Sequence, residues 1–356
     1  MRLSARTSPL LFRVVAVVAL ALSFACPVFG KRKDDVVGMK NGDKFSGEIK
    51  GLQHGELIFK SDYMKDSVHL DWQRVNTLES KDAYIVALSN GQRITGKIEV
   101  TENQGESKKE FRVVSDGVVI EVSQSEVITI DQHEASFMNQ LTGSFDYGFG
   151  FASGNNSTNS TLGAAVAFNT TKNSISLATS SQFDSQANAK NTNRFTFDAQ
   201  YGRAITTNWI AAGLFGMLKS DQQDLNLRTT YGGGLGRRLV QTDQTKLLVI
   251  GGAAYSHEDY VPQPGTEPIL DNAEALLGVT FSTFRFKTLN LSSQNFVFPS
   301  LTDFGRVRLS SRANMRIELM RNFYWSFQFY ENYDTSPPVK APKNDLGVTT
   351  SIGWTF

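Results

Sequence analysis

The stretch GRVRLSSRANMRIEL, Gly305 to Leu319, carries the most informative polar pattern in the chain. Read with a period of two, Arg306, Arg308, Arg312, Arg316 and Glu318 fall on one side, and Val307, Leu309, Ala313, Met315, Ile317 and Leu319 on the other. Such alternation is that of a strand with two different surroundings. If the apolar side meets lipid, an arginine moved onto it near the bilayer midplane would cost roughly 2–4 kcal/mol. The arginines are therefore predicted to face a barrel lumen, joined by Arg228 and Arg238 of TTYGGGLGRRL. Asp146, Asp198, Glu274 and Glu318 are predicted as inward acidic residues. Two chemistries follow: a salt-bridge network that fills and stiffens a narrow barrel, or a basic constriction that favours small anions. The spacing alone leaves both open.

Other reactive side chains are sparse. His54, His69, His133 and His257 show no HExxH or other ligand spacing, and Cys26 is the only cysteine. No metal site, disulfide or cofactor is predicted. His257 with Glu258 and Asp259 lies near an outer strand end, where a barrel hydrolase could place its site; a solvated histidine is the expected reading. Gly232, Gly233, Gly234 and Gly236 lack the spacing and the strand-to-helix setting of a dinucleotide loop. Within a barrel strand such glycines mark a bend or leave room for a large inward neighbour. No enzyme activity is predicted.

The elements that must position these residues begin at Gln140. From there, segments of 10 to 14 residues alternate apolar and polar between turn-rich stretches, which is the pattern of a transmembrane β-barrel. FDYGFGF puts Phe145, Tyr147, Phe149 and Phe151 on one face; FYWSFQFY puts Phe323, Trp325, Phe327 and Phe329 there. Twelve strands are expected, centred near Phe149, Ala165, Leu177, Ala199, Leu214, Gly233, Ile250, Val279, Ser292, Ala313, Phe327 and Ile352. WIAAGLFGML and TKLLVIGGAAY alternate poorly. Links such as NTTKN and QTDQT are short, whereas SGNNSTN, EDYVPQPGTEPILDN and DTSPPVKAPKND are long. Short turns belong in the periplasm and long loops outside, which puts both ends of the barrel in the periplasm. The final LGVTTSIGWTF is expected to close the barrel, with Trp354 and Phe356 at the periplasmic interface. Its terminal Phe356 resembles the aromatic end by which bacterial outer-membrane barrels are recognised for insertion.

Ahead of the barrel, Arg2, Arg6 and Arg13 precede the apolar run VVAVVALALSFA, too short for a comfortable membrane helix and typical of a secretory signal peptide. Residues 1–30 are assigned to it, with cleavage after Ala25 or Gly30; Cys26 is expected to be discarded with the signal, which requires the cut after Gly30. VVGMKNGDKFSGEI, Val36 to Ile49, then recurs as IVALSNGQRITGKI, Ile85 to Ile98. Asn-Gly between β-rich runs signals a hairpin. Two small bent units of Sm-like or SH3-like type, at about 35–80 and 83–131, are expected within a periplasmic domain spanning 34–131. A linker (132–139) and the barrel (140–356) follow. Tyr63 and Trp72 are the aromatic candidates for a binding surface there, with packing the expected role. The 36 Lys and Arg nearly balance 35 Asp and Glu, and 25 Phe, 10 Tyr and 29 Gly stand against 9 Pro. That composition suits an all-β protein and gives no footprint for nucleic acid.

The stretches SGNNST, NWIAAGLFGMLKSDQQDLNLRTTYGGGLGRRL, LLVIGGAAYSHEDY and YENYDTSPPVKAPKNDLGVTTSIGWTF give the region from about Leu141 to Phe356 a family likeness. It resembles the YdiY-like family of outer-membrane barrels, a domain of unknown function that includes salt-induced outer-membrane proteins. The resemblance implies fold and location, and a link to salt or osmotic stress. It carries over no catalytic residues. The expected role is a non-enzymatic envelope barrel, structural or a narrow small-solute pore. The alternatives are a scaffold whose periplasmic units dock an envelope partner and, third, an outer-membrane hydrolase. Outer-membrane lipid is the expected surrounding of the barrel.

Overall fold

The computed structural model describes residues 34–355 apart from 54, 91, 100–109, 116, 134–140, 153–156, 171, 187–190, 243, 266, 287–288, 321 and 338–340. The signal-peptide reading with Cys26, Gly91, the linker from 134 onward and Phe356 lie outside the described residues.

Ten short strands form the N-terminal part: β1 (Asp35–Met39), β2 (Lys44–Gln53), β3 (Glu56–Lys60), β4 (Val68–Asp71), β5 (Val75–Glu79), β6 (Ala83–Leu88), β7 (Arg93–Glu99), β8 (Glu110–Ser115), β9 (Val118–Ser123) and β10 (Val127–Gln132). The first five and the last five pair alike: β1 with β2 and β5, β6 with β7 and β10, and each second strand onward through a hairpin to the next two. Gly42 takes the turn between β1 and β2 at a φ of +92°, where a side chain would be strained.

The two halves grip each other by equivalent surfaces. Trp72 Nε1 donates to the carbonyl of Gln124 at 3.0 Å, and the Gln124 amide donates back to the Trp72 and Val75 carbonyls at 2.5 and 3.0 Å. Leu52 of β2 pairs with Ile130 of β10, while the Ser80 amide after β5 donates to Ile98 of β7 at 2.8 Å. One apolar cluster runs through both halves, including Ile49, Phe59, Leu78, Tyr84 and Ile98. Tyr84 donates to buried Asp35 at 2.6 Å; burial first, and that carboxylate second, push its phenol well above the usual range. Trp72 is thus a packing residue, stacked on Phe111 at 5.1 Å, whereas Tyr63 is 90% exposed.

The rest is a closed antiparallel barrel of twelve strands in sequence order: β11 (Leu141–Ala152), β12 (Ser157–Asn169), β13 (Asn173–Gln186), β14 (Thr192–Ala204), β15 (Trp209–Ser220), β16 (Leu225–Gln241), β17 (Thr245–Tyr260), β18 (Ile269–Phe286), β19 (Leu289–Pro299), β20 (Val307–Met320), β21 (Phe323–Asp334) and β22 (Asn344–Thr355). Each predicted strand centre falls in a strand of its own. The last strand returns to the first, Tyr147 opposite Ile352 and Ser144 opposite Thr355, so no backbone edge is left in the ring. Phe145, Tyr147, Phe149, Trp325, Val348, Ile352 and Trp354 are exposed on the outside, the apolar surface that lipid would cover.

The strands that alternate poorly have an apolar face on both sides. Ile250, Ala254, Leu276 and Phe298 are buried inside the ring, with Ala212, Leu214, Leu248 and Phe296 packed against them. Glycines opposite give them space: a Cβ on Gly236 would meet Ile210 and Leu248, and one on Gly278 would meet the Phe296 ring. At the short-turn end, Arg93 of the N-terminal part donates to the Thr170 carbonyl between β12 and β13. Burial there pushes the Asp131 carboxyl above the usual carboxylate range, against the opposing pull of its Thr129 hydrogen bond, Arg93 and Lys246.

Candidate functional site: ion pairs across the lumen

Near the long-loop end, Glu258 of β17 collects three guanidinium groups. Arg228 Nε of β16 lies 2.9 Å from it, Arg306 Nη2, just before β20, at 2.7 Å, and Arg308 Nε of β20 at 3.6 Å. Arg306 also holds Asp334 of β21 at 2.6 Å, and Arg308 donates to Glu274 of β18 at 2.7 Å. Tyr260 completes the cluster, accepting from Arg228 at 2.9 Å and donating to Glu258 at 3.1 Å. All six charged groups are buried, Glu258 completely. Burial of isolated charges on this scale would be prohibitive, so mutual pairing is the condition for the barrel to close over them.

Two further pairs reach across the ring. Arg312 Nη1 of β20 lies 2.7 Å from Asp198 of β14. These strands stand six places apart in a ring of twelve, so this pair joins opposite walls. Arg194 of β14 meets Asp345 of β22 at 3.2 Å, with Ser220 of β15 donating to the same carboxylate at 2.9 Å. Arg194 also lies over the Tyr330 ring at 4.1 Å. Arg316 lies over Tyr324 at 4.5 Å and donates to Ser144 at 3.2 Å, while Asp146 accepts from Ser326 at 3.3 Å.

Eight of the ten charged residues predicted inward therefore line the lumen: Arg228, Arg306, Arg308, Arg312, Arg316, Asp146, Asp198 and Glu274. Arg306 does so from the loop before β20, not from the strand. Arg238 and Glu318 keep the inward parity but sit at the short-turn mouth. There Arg238 donates to the Thr207 carbonyl at 2.8 Å, and Glu318 is exposed. Parity specifies a face and says nothing of depth, and both residues lie close to their strand ends.

Sequence reasoning missed Arg194, Glu258, Asp334 and Asp345. Glu258 reads as loop beside His257, and Asp334 and Asp345 bound the Pro-rich DTSPPVKAPKND. Their strands run farther than the turn signals suggest; continuing the period of two from Ala254 and Ser256 to Glu258, or from Thr349 and Gly347 to Asp345, would have placed them inward. His257 takes the opposite face, its Nδ1 2.7 Å from Asp271, which also accepts from Tyr255 at 2.7 Å. No hydrolytic triad is assembled there, since neighbouring Glu258 and Ser256 point into the lumen. Among the described residues no group of His, Cys, Asp and Glu could hold a metal ion.

The profile described as protein of unknown function, DUF481, matches residues 145–356; this is the YdiY-like family that the sequence resembles. No curated protein matches the chain. Among solved structures, the translocator domain of autotransporter NalP from Neisseria meningitidis is 12% identical. The match covers 60% of this chain and 86% of that one, with a TM-score of 0.34. The NanC porin is 10% identical over 60% of this chain and 98% of that one, TM-score 0.36. An outer-membrane channel from Pseudomonas putida F1 is 9% identical over 61% and 94%, TM-score 0.35.

Proposed function

Given that the chain belongs to the DUF481 family of proteins of unknown function, whose description assigns no activity, we propose a role from the lumen itself. The barrel is a non-enzymatic outer-membrane component, a narrow small-solute channel held nearly shut by its own ion pairs. The observation that carries this is the Arg312–Asp198 pair across the full ring. Among the described residues, six lumenal arginines, Arg194, Arg228, Arg306, Arg308, Arg312 and Arg316, stand against seven carboxylates, Asp146, Asp184, Asp198, Glu258, Glu274, Asp334 and Asp345, a near balance. That balance favours the filled, stiffened lumen over a basic constriction, so conductance should be small and only weakly selective between anions and cations. The apolar outside with its exposed aromatic residues supports an outer-membrane location. The shared end of both barrel termini and the short turns supports a periplasmic N-terminal domain, available to dock an envelope partner. A part in salt or osmotic stress rests on the family resemblance.

Single-channel recording on the refolded full-length protein tests this. Arg312→Ala should raise conductance and shift selectivity toward cations, because Asp198 is left unpaired. A silent bilayer from both forms, with the barrel shown to be folded by heat-modifiable migration, would remove the channel reading and leave the structural one.

A further inference from the structure

The apolar patch inside the barrel is unexpected in a passage for hydrated ions, and it borders space. A cavity of about 110 Å³ is lined by Leu214, Ile250, Leu276 and Phe296, by Gln200, the β14 partner of Leu214, and by Ser176 of β13, six strands from Phe296. It adjoins a second of about 90 Å³, the two sharing Gln200, Leu214 and Phe296. A dry apolar cavity of about 150 Å³ is enough to take up benzene. Here the apolar wall is firmly built, since Gly278 across from Phe296 leaves the ring the space a Cβ would occupy.

The surroundings narrow the ligand. A sugar would leave several hydroxyls against side chains that cannot bond them. An anion would need an uncommitted cation, but Arg194, Arg308 and Arg312 around the second cavity each hold a carboxylate. A single polar group can be met by the hydroxyl of Ser176 or the amide of Gln200. We propose that the lumen binds a neutral single-ring aromatic molecule bearing one hydroxyl, the ring against Leu214, Ile250 and Phe296 and the hydroxyl toward Ser176 and Gln200. This deepens the channel reading, on which it rests only for the route by which the ligand arrives.

Titration calorimetry of the folded full-length protein in detergent, with phenol as the probe, tests it. Phenol should bind saturably, at least about tenfold tighter than benzoate, and glucose should give no saturable signal. Ala212→Phe, from the apolar wall, should fill the cavity and weaken phenol at least about tenfold while heat-modifiable migration persists. Gln200→Leu should weaken phenol severalfold, the loss of one hydrogen bond, and leave toluene unchanged. Should Ala212→Phe not fold, the phenol-to-toluene ratio of Gln200→Leu decides. Absence of saturable phenol binding to the unaltered protein, or identical binding to a folded Ala212→Phe, overturns the proposal. A silent bilayer with phenol binding intact would overturn the channel alone; conduction without phenol binding would overturn this site alone.

Discussion

At the scale of single residues, the lumenal arginines act through their partners, so removing a charge on one side exposes a charge on the other. Glu258 shows this most strongly: completely buried, it lies within 3.6 Å of three arginines. Glu258→Gln should cost about 3–5 kcal/mol, the usual penalty for breaking a buried pair from one side, and should lower the temperature at which the folded band is lost in heat-modifiability gels. Arg312→Ala is the contrast. Its side chain and that of Asp198 are 28% and 25% exposed, so water moderates the loss and the stability cost should stay within about 1 kcal/mol, although conductance changes. A silent exchange of these outcomes, a stable Glu258→Gln and an unfolded Arg312→Ala, would refute the assignment of the buried cluster as the structural one. In the N-terminal part, Tyr84→Phe removes the hydrogen bond to Asp35, whose carboxylate keeps the Ile49 and Lys81 amides. A loss of about 1–2 kcal/mol in urea unfolding is expected.

At the scale of elements, the closing strand is the clearest case of a local pattern with a global result. Val348 and Ile352 are exposed outside while Thr349 is buried inside, and pairing of β22 with both β21 and β11 removes the last edge of the sheet. Removing Phe356 should cut the yield of assembled barrel far more than any loss of contacts would, read as the fraction of heat-modifiable protein in the outer-membrane fraction; normal assembly would count against its role as a recognition signal. The strands β15 and β17 teach the opposite lesson. Their weak alternation looked like a soft strand prediction, yet both are regular. The period disappears because Leu214, Leu248 and Ile250 face an apolar patch within the ring instead of water. Amphipathicity reports the contrast between two surroundings, and where both are apolar there is no contrast to read.

At the scale of the whole molecule, the N-terminal domain closes its own core, with Trp72 and Gln124 locking one half to the other. Its described hydrogen bond to the barrel is from Arg93 to the Thr170 carbonyl. Deleting residues 34–131 should therefore leave barrel insertion and heat-modifiable migration intact, while any partner held by this domain should no longer co-purify. Loss of the barrel on that deletion would show that the two parts fold as one.

The strand count, the closure of the ring and the outward faces of FDYGFGF and FYWSFQFY were legible in the sequence because side-chain direction along a strand is a local property with a period of two. For the same reason the inward parity of Arg228, Arg308, Arg312 and Arg316 was legible. What those arginines meet was not. Arg312 and Asp198 are over a hundred residues apart in sequence and six strands apart in the ring; only the circumference and stagger of the closed barrel bring them within 2.7 Å. The same closure brings Ser176 of β13 and Phe296 of β19, six strands apart, to one cavity. The sequence by itself determined which face each residue takes, and the tertiary structure decided which faces meet, because contact across a lumen depends on ring geometry that no single strand contains.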